Sequence, residues 1–178
     1  MTDHAVVVAS PTVEDSPVAC SADNVDVKLT PSSVYAGRPI TFALEITNKS
    51  KTTPCYFDAG YSNLGVELTS GTDTIVDTRA CKGGKANRLL LLDTEYTTKM
   101  SIGWDGTFSG STCKSGGAAS KPGTYVARVV TGDGYLMESG VPFELVPVPA
   151  PAPKPSATTT PAPAATTPAA ETTPTSTD

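Results

Sequence analysis

The chain has 178 residues, of which 38% are hydrophobic, and its 18 acidic and 13 basic residues leave a net charge of −5. This length suits one folded core of about 100–200 residues with appendages, and it leaves little room for a second core. The mild acidity argues against general nucleic-acid binding, and the sequence contains no run of the roughly 18–20 apolar residues that a membrane helix needs.

The chain opens with residues 1–19, which we predict to form a flexible leader. Pro11, Pro17 and a scatter of serine, threonine and acidic residues leave no sustained periodicity in this segment, which is typical of chain that does not fold by itself. The segment after Met1 also lacks the long apolar core of a secretory signal peptide. The chain is therefore either cytosolic or the remainder of an exported protein whose signal was removed.

The four cysteines favour the second alternative. Disulfides form and persist in oxidising compartments, and cysteines in a polar, lysine-poor chain fit such a compartment better than a reducing one. We therefore expect an extracytoplasmic protein, either secreted or anchored at the cell surface. Any attachment to a membrane would run through an anchor outside this chain.

Residues 20–146 carry the folding information. Apolar residues recur there at every second position in short runs separated by turn residues, which is the period of half-buried strands. No window shows the spacing of an amphipathic helix, so the pattern predicts an all-β domain, either a sandwich or a barrel. Gly132-Asp133-Gly134 indicates a tight hairpin turn between the last two long strands,. The nine predicted strands cover 25–29, 42–46, 55–59, 66–69, 74–79, 88–92, 97–104, 125–130 and 141–146.

Residues 147–178 form the predicted tail. Nine of the 16 prolines lie there, interleaved with alanine, threonine and serine, and Val148 is the last large apolar residue. Such a segment has too few large apolar residues to form a hydrophobic core, so we expect it to be disordered. Alternating prolines favour extended polyproline II at about 3.1 Å per residue. The threonine-rich part fits either an O-glycosylated stalk or a plain interdomain linker.

Three motifs carry a family resemblance. The alternating segment 42–50 ends in Asn48-Lys49-Ser50, Trp104 follows later, and Pro122-Gly123-Thr124-Tyr125 begins a strand. Together they resemble the BsuPI-type intracellular proteinase-inhibitor domain and, more closely, a group of actinobacterial surface or lipoprotein-like domains that add cysteines to the same layout. The resemblance covers residues 20–146. It implies an immunoglobulin-like antiparallel β-sandwich and, as one possible activity, proteinase inhibition.

Four cysteines permit three disulfide pairings. If successive strands alternate in direction, Cys20 and Cys55 each begin a strand at one end of the domain, whereas Cys81 and Cys113 each follow a strand at the opposite end. We therefore predict the bridges Cys20–Cys55 and Cys81–Cys113, each worth about 2–4 kcal/mol. The cysteines lie too far apart in sequence for the paired short spacing of zinc sites, so we expect no metal.

Candidate catalytic groups are sparse. His4 is the single histidine, and it lies in the leader, where it is poorly placed to serve a nucleophile,. The carboxylate pairs Asp73 with Asp77 and Asp58 with Asp105 are the remaining candidates for acid–base work, but scattered surface acids usually serve solvation. No glycine-rich loop opens a helix to hold a phosphate. We expect no enzyme activity, no catalytic residue and no cofactor.

A cluster of cations surrounds the second predicted bridge. Arg79, Lys82, Lys85 and Arg88 bracket Cys81, and Lys114 follows Cys113, so the predicted pairing gathers five positive charges. Such a patch suits an anionic partner, for instance a cell-wall polymer or an acidic protein surface. The alternative is an ordinary solvated loop. Trp104 lies in an alternating run, which indicates a core residue more than a contact residue.

These features indicate a monomeric, non-catalytic recognition or structural module of a bacterial surface or secreted protein. The alternative function is a proteinase inhibitor of the BsuPI type that presents residues 105–121 to a protease cleft. A sandwich supports unrelated functions on one frame, so the sequence names neither the protein nor the wall polymer that would be the partner.

Overall fold

A computed structural model describes residues 17–94, 96–114 and 116–150. These residues form β-strands and one 3-10 turn at Ala22–Asn24, so the predicted all-β class is confirmed. No helix in the described part of the chain is long and apolar enough to cross a membrane. The eleven described strands are β1 (Val18–Ala19), β2 (Val25–Pro31), β3 (Ile40–Asn48), β4 (Cys55–Asp58), β5 (Gly65–Ser70), β6 (Asp73–Asp77), β7 (Leu89–Leu92), β8 (Thr97–Trp104), β9 (Gly123–Thr131), β10 (Gly134–Tyr135) and β11 (Val141–Leu145).

The strands form three sheets. One has the order β2-β3-β8 and is antiparallel throughout. A larger antiparallel sheet has the order β10-β9-β5-β6, and β11 also pairs with β9. A small third sheet, β1-β4-β7, contains a parallel pair between β1 and β4. Among the described strands β8 pairs only with β3, so β8 is an edge strand of the first sheet.

Strand β3 shows how alternating apolar and polar residues give a strand one buried and one exposed face. Phe42 and Leu44 are buried, whereas Ala43 is exposed and Glu45 is half-buried on the opposite face. Glu45 lies between Lys28 of β2 and Lys99 of β8, at 3.7 and 3.2 Å. The hydrogen bond from Lys99, followed by the charge of Lys28, lowers the pKa of Glu45. One face of β3 therefore supplies the core while the other carries exposed ion pairs, as the two-residue period of a strand requires.

All three sheets share one hydrophobic core. Phe42 of β3 meets Phe143 of β11 edge-on, with ring centroids 6.1 Å apart. Burial of this kind is the main favourable term in folding, at about 25 cal/mol per Å² of apolar surface. The largest fully buried side chains are Ile40, Phe42, Leu44, Ile46, Val66, Leu68, Val76, Leu92, Val129 and Leu145.

The observed strands differ from the predicted ones at two places. Val18 and Ala19, which the sequence assigned to the leader, pair with Cys55 and Tyr56 as β1. The turn at residues 132–134 leads into the short β10 and not directly into β11. Two-residue strands are too short to produce a hydrophobic period, so the pattern cannot reveal them. Apart from residues 17–19 and 147–150, the predicted leader and tail lie outside the described residues.

Candidate functional site

Two disulfides occur, Cys20–Cys55 and Cys81–Cys113, with Cα–Cα separations of 5.0 and 4.9 Å. They are the two pairs that alternating strand directions favour. Cys55 begins β4 and is buried in the core, whereas Cys81 is exposed. The first bridge ties the start of the domain to β4. The second joins the segment after β6 to the long connection between β8 and β9.

The connection between β8 and β9 is held at several points. The amide of Phe108 donates to the carbonyl oxygen of Ala118 at 2.7 Å, and Gly110 donates to Ile75 at 2.9 Å. The indole nitrogen of Trp104 donates to the carbonyl of Thr107 at 2.9 Å, and Trp104 is buried, as its strand position predicts. These bonds and the Cys81–Cys113 bridge fasten the connection beside β6.

A groove of about 700 Å³ opens beside this bridge. We call it the basic groove. One side is formed by β8, and the other sides are formed by the turn after β4 and by the segment that follows β6. Its lining residues are Ala59, Tyr61, Leu64, Thr78, Cys81, Gly83, Gly84, Lys85, Arg88, Met100, Ser101, Ile102 and Gly103.

Backbone hydrogen bonds fix one wall of the basic groove. The turn after β4 meets residues 85–88 through Ala59 N to Arg88 O at 2.8 Å and Tyr61 N to Lys85 O at 3.0 Å. The carboxylate of Asp58 accepts the amides of Gly60 and Arg88, at 2.8 and 2.7 Å. A side chain at Gly60 would collide with the Ala86 carbonyl, so the close approach of the two segments requires glycine,.

The charge of the basic groove is uniformly positive. Lys85 and Arg88 are the charged residues among its described lining, and both are exposed. Lys82 and Lys114 are exposed as well, next to the bridged Cys81 and Cys113. The structure therefore brings Lys85 and Arg88 to one groove and places Lys82 and Lys114 beside the adjoining bridge.

Arg79 differs from the other four predicted cations. Its guanidinium binds both carboxylate oxygens of Asp77, with Nη2 2.7 Å from Oδ2, and Nη1 donates to the carbonyl of Thr131 at 2.6 Å. The hydrogen bond to Asp77 raises the pKa of Arg79 above its ordinary value. Because its charge is already paired and half-buried, Arg79 joins strands of the larger sheet and contributes little to a binding patch.

Three of the four carboxylates considered for acid–base work have local partners. Asp77 pairs with Arg79, Asp58 accepts two backbone amides, and Asp105 accepts the amide and the hydroxyl of Thr107 at 2.9 and 2.8 Å. No such bond to another described residue is present for Asp73, which is exposed at the start of β6. No group of three or more metal-ligating side chains occurs within the described ranges. His4 lies outside them.

Two surface features are not marked by any pattern in the sequence. The first is the lining of the basic groove by Tyr61 and by residues 100–103 of β8. Alternation of apolar residues does not show which strand lies at the edge of a sheet. The four leucines of β7 were predicted as a strand, yet Leu89 and Leu91 are 66% and 51% exposed, beside the half-exposed Tyr56. A continuous apolar run is typical of burial on both faces, whereas the alternate leucines of β7 lie at the surface.

Comparisons with known proteins assign no family. No family model matches the chain, and no curated protein matches it. Among solved structures, a beta-glucosidase from Listeria innocua in complex with isofagomine aligns at 16% identity with a TM-score of 0.36. The alignment covers 68% of this chain and only 16% of that enzyme. A likeness of this size does not transfer an activity.

Proposed function

We propose that the chain is a non-catalytic recognition module of an extracytoplasmic protein and binds an anionic partner in the basic groove. The two disulfides support an oxidising location, either secreted or at the bacterial cell surface,. The observation that carries the proposal is the groove itself: its charged lining residues, Lys85 and Arg88, are both cations, and one wall is fixed by backbone hydrogen bonds. A preformed site avoids the cost of ordering a loop upon binding.

We also propose that the fold is an immunoglobulin-like sandwich, with the β2-β3-β8 sheet packed on the larger sheet. The contact between Phe42 and Phe143 supports this arrangement. Tyr125, near the start of β9, donates its hydroxyl to the carbonyl of Lys121, four residues upstream, at 2.8 Å. A tyrosine bonded back to the preceding backbone in this way occurs at a corner of many such sandwiches.

Proteinase inhibition is the second candidate, because residues 105–121 are cross-linked and hydrogen-bonded at their base while Phe108 is 44% exposed. A constrained, exposed segment is what an inhibitor presents to a protease cleft. Dose-dependent inhibition of subtilisin-type proteases would favour this candidate. Slow digestion of the chain as a substrate would oppose it.

The charge of the basic groove can be tested by replacing Lys85 and Arg88 with serine in the full chain. Retention on immobilised teichoic acid and on immobilised polyglutamate is measured at low and moderate salt. We expect binding to at least one matrix to weaken roughly fivefold in the variant, because two exposed cations each contribute up to about 1 kcal/mol. Salt should weaken binding of the parent chain, since it screens exposed charges.

The matched control replaces Lys49 and Lys51 with serine, which changes the net charge equally at exposed positions outside the groove lining. The control should bind as the parent chain does. Equal binding by the groove variant and the parent chain, or equal loss in the control, would rule out the groove as the binding site.

A further inference from the structure

The edge of β8 borders the basic groove and has free backbone hydrogen-bonding groups. Ser32 donates to the carbonyl of Thr41, and Lys49 donates to Asn24, so the odd-numbered residues of β3 bond to the β2 side. The even-numbered residues of β3 must then bond to β8. Their partners, in register, are Thr98, Met100, Ile102 and Trp104.

The intervening residues of β8 therefore point their backbone groups away from β3. In an antiparallel strand the amide and carbonyl of one residue face the same side, and successive residues alternate. Lys99, Ser101 and Gly103 thus direct their N–H and C=O groups to the free edge, where the described residues supply no backbone partner. Ser101 and Gly103 also line the basic groove, and a methyl group built on Gly103 would meet no atom within 4 Å.

From this geometry we infer that the basic groove binds an extended acidic peptide segment that adds a strand to the free edge of β8. The inference rests on the proposed function, because Lys85 and Arg88 supply the positive charge that acidic side chains would meet. Main-chain hydrogen bonds to Lys99, Ser101 and Gly103 would hold the peptide, as in other complexes formed by strand addition. Half-buried Met100 and Ile102 offer apolar contact to its alternate side chains.

The positive charge beside the edge of β8 favours an acidic peptide over the other molecules that could bind there. A second copy of this chain paired edge to edge would bring two sets of Lys85 and Arg88 together, and like charges in apposition oppose such pairing. An exposed lysine such as Lys99 is also a common guard against edge-to-edge association,. A polyanion without a peptide backbone would use the cations but leave the edge hydrogen bonds unmade. An acidic peptide satisfies both features.

The test uses the full chain and a synthetic nine-residue peptide that alternates glutamate with threonine or valine. Its matched control has the same sequence with N-methyl groups on alternate amides, which keeps the charge and blocks strand pairing. Binding is measured by isothermal titration and by amide hydrogen exchange. We expect the plain peptide to bind and to slow exchange at Lys99, Ser101 and Gly103, whereas the N-methylated peptide should bind at least about tenfold more weakly.

Two variants at Ser101 test one backbone hydrogen bond to the peptide without changing any charge. Ser101→Pro removes one outward-facing amide and leaves the bonds from β8 to β3 in place, whereas Ser101→Ala keeps the amide. We expect Ser101→Pro to bind the peptide roughly 3- to 10-fold more weakly than Ser101→Ala does, the usual effect of one hydrogen bond. If the proline variant fails to fold, the comparison of the two peptides decides by itself.

Each contrary result has a distinct meaning. Equal binding of the N-methylated peptide would overturn strand addition and leave charge-driven recognition intact. Retention of teichoic acid without peptide binding would overturn the peptide as partner but not the proposed function. Concentration-dependent dimerisation that protects the β8 amides would assign the edge to a second copy instead. Absence of binding to the peptide and to both anionic matrices would overturn both proposals.

Discussion

Asn48 ends β3 with its side chain buried, at 3% exposure. Its amide nitrogen donates to the carbonyl oxygens of Thr53 and Leu92, at 2.9 and 3.2 Å, and its oxygen accepts the amide of Ser50 at 2.9 Å. One side chain thus closes the turn after β3 and joins it to the end of β7. The contact with Leu92 of β7 is not marked by any pattern in the sequence, and only the structure shows it.

We expect Asn48→Ala to lower the free energy of unfolding by about 2–3 kcal/mol, because three backbone groups would lose their partner in a largely buried place. Urea unfolding under non-reducing conditions measures the change. The matched control is Thr47→Ala, which removes only the exposed hydroxyl contact with Thr97 and should cost less than about 0.5 kcal/mol,. Equal losses in the two variants would contradict the role assigned to Asn48.

At the scale of elements, the two disulfides differ in how deeply their cysteines are buried. Cys20–Cys55 joins β4 beside the core, and Cys55 is 5% exposed. Cys81–Cys113 lies at the surface next to the basic groove, and Cys81 is exposed. The backbone at Lys82 and Cys113 has φ values of 51° and 47°, a region that side-chain-bearing residues seldom adopt,. Of the two disulfides, Cys81–Cys113 is the one that attaches residues 105–121 to the rest of the domain.

We predict that Cys81–Cys113 is reduced first when the folded protein meets a limiting concentration of a phosphine or thiol reductant. The reductant must reach a sulfur atom, and Cys81 is exposed whereas Cys55 is buried,. Alkylation followed by mass spectrometry identifies the opened bridge, and circular dichroism should show the strands retained at that stage. Earlier or simultaneous opening of Cys20–Cys55 would contradict the prediction.

For the whole molecule, the described core lies between Val25 and Leu145. Tyr35 forms a parallel bridge with Val146, and the amide of Val146 donates to Val34 at 2.7 Å, so hydrogen bonding to the domain extends to that residue. The next four described residues, 147–150, are exposed. Among the described backbone hydrogen bonds, those of Val146 lie furthest along the chain.

We expect removal of residues 151–178 to change the free energy of unfolding by less than about 0.5 kcal/mol, because the described core residues end at Leu145,. The urea midpoints of the full and shortened chains provide the comparison. Leu68→Ala in the full chain is the positive control, since truncating this fully buried side chain should cost about 2–5 kcal/mol,. A loss of that size upon shortening would show that the tail contributes to stability.

The sequence by itself determined the class of structure and the strands longer than two residues. Alternation such as that of Val25, Val27 and Leu29 is a local property, because each side chain alternates faces whatever its partner strand. The favoured cysteine pairs also followed from a local argument, the alternating direction of successive strands. The positive charge near Cys81 was visible for the same reason, since charges close in sequence remain close in space.

The tertiary structure decided which strand edges and side chains are free. It paired Arg79 with Asp77, left Leu89 and Leu91 exposed, and placed the edge of β8 beside Lys85 and Arg88. These outcomes depend on strand order and on contacts between segments far apart in the chain, and alternation carries no information about either. The pattern of residues could therefore predict a domain with a basic surface, whereas only the packing of its sheets defined the groove.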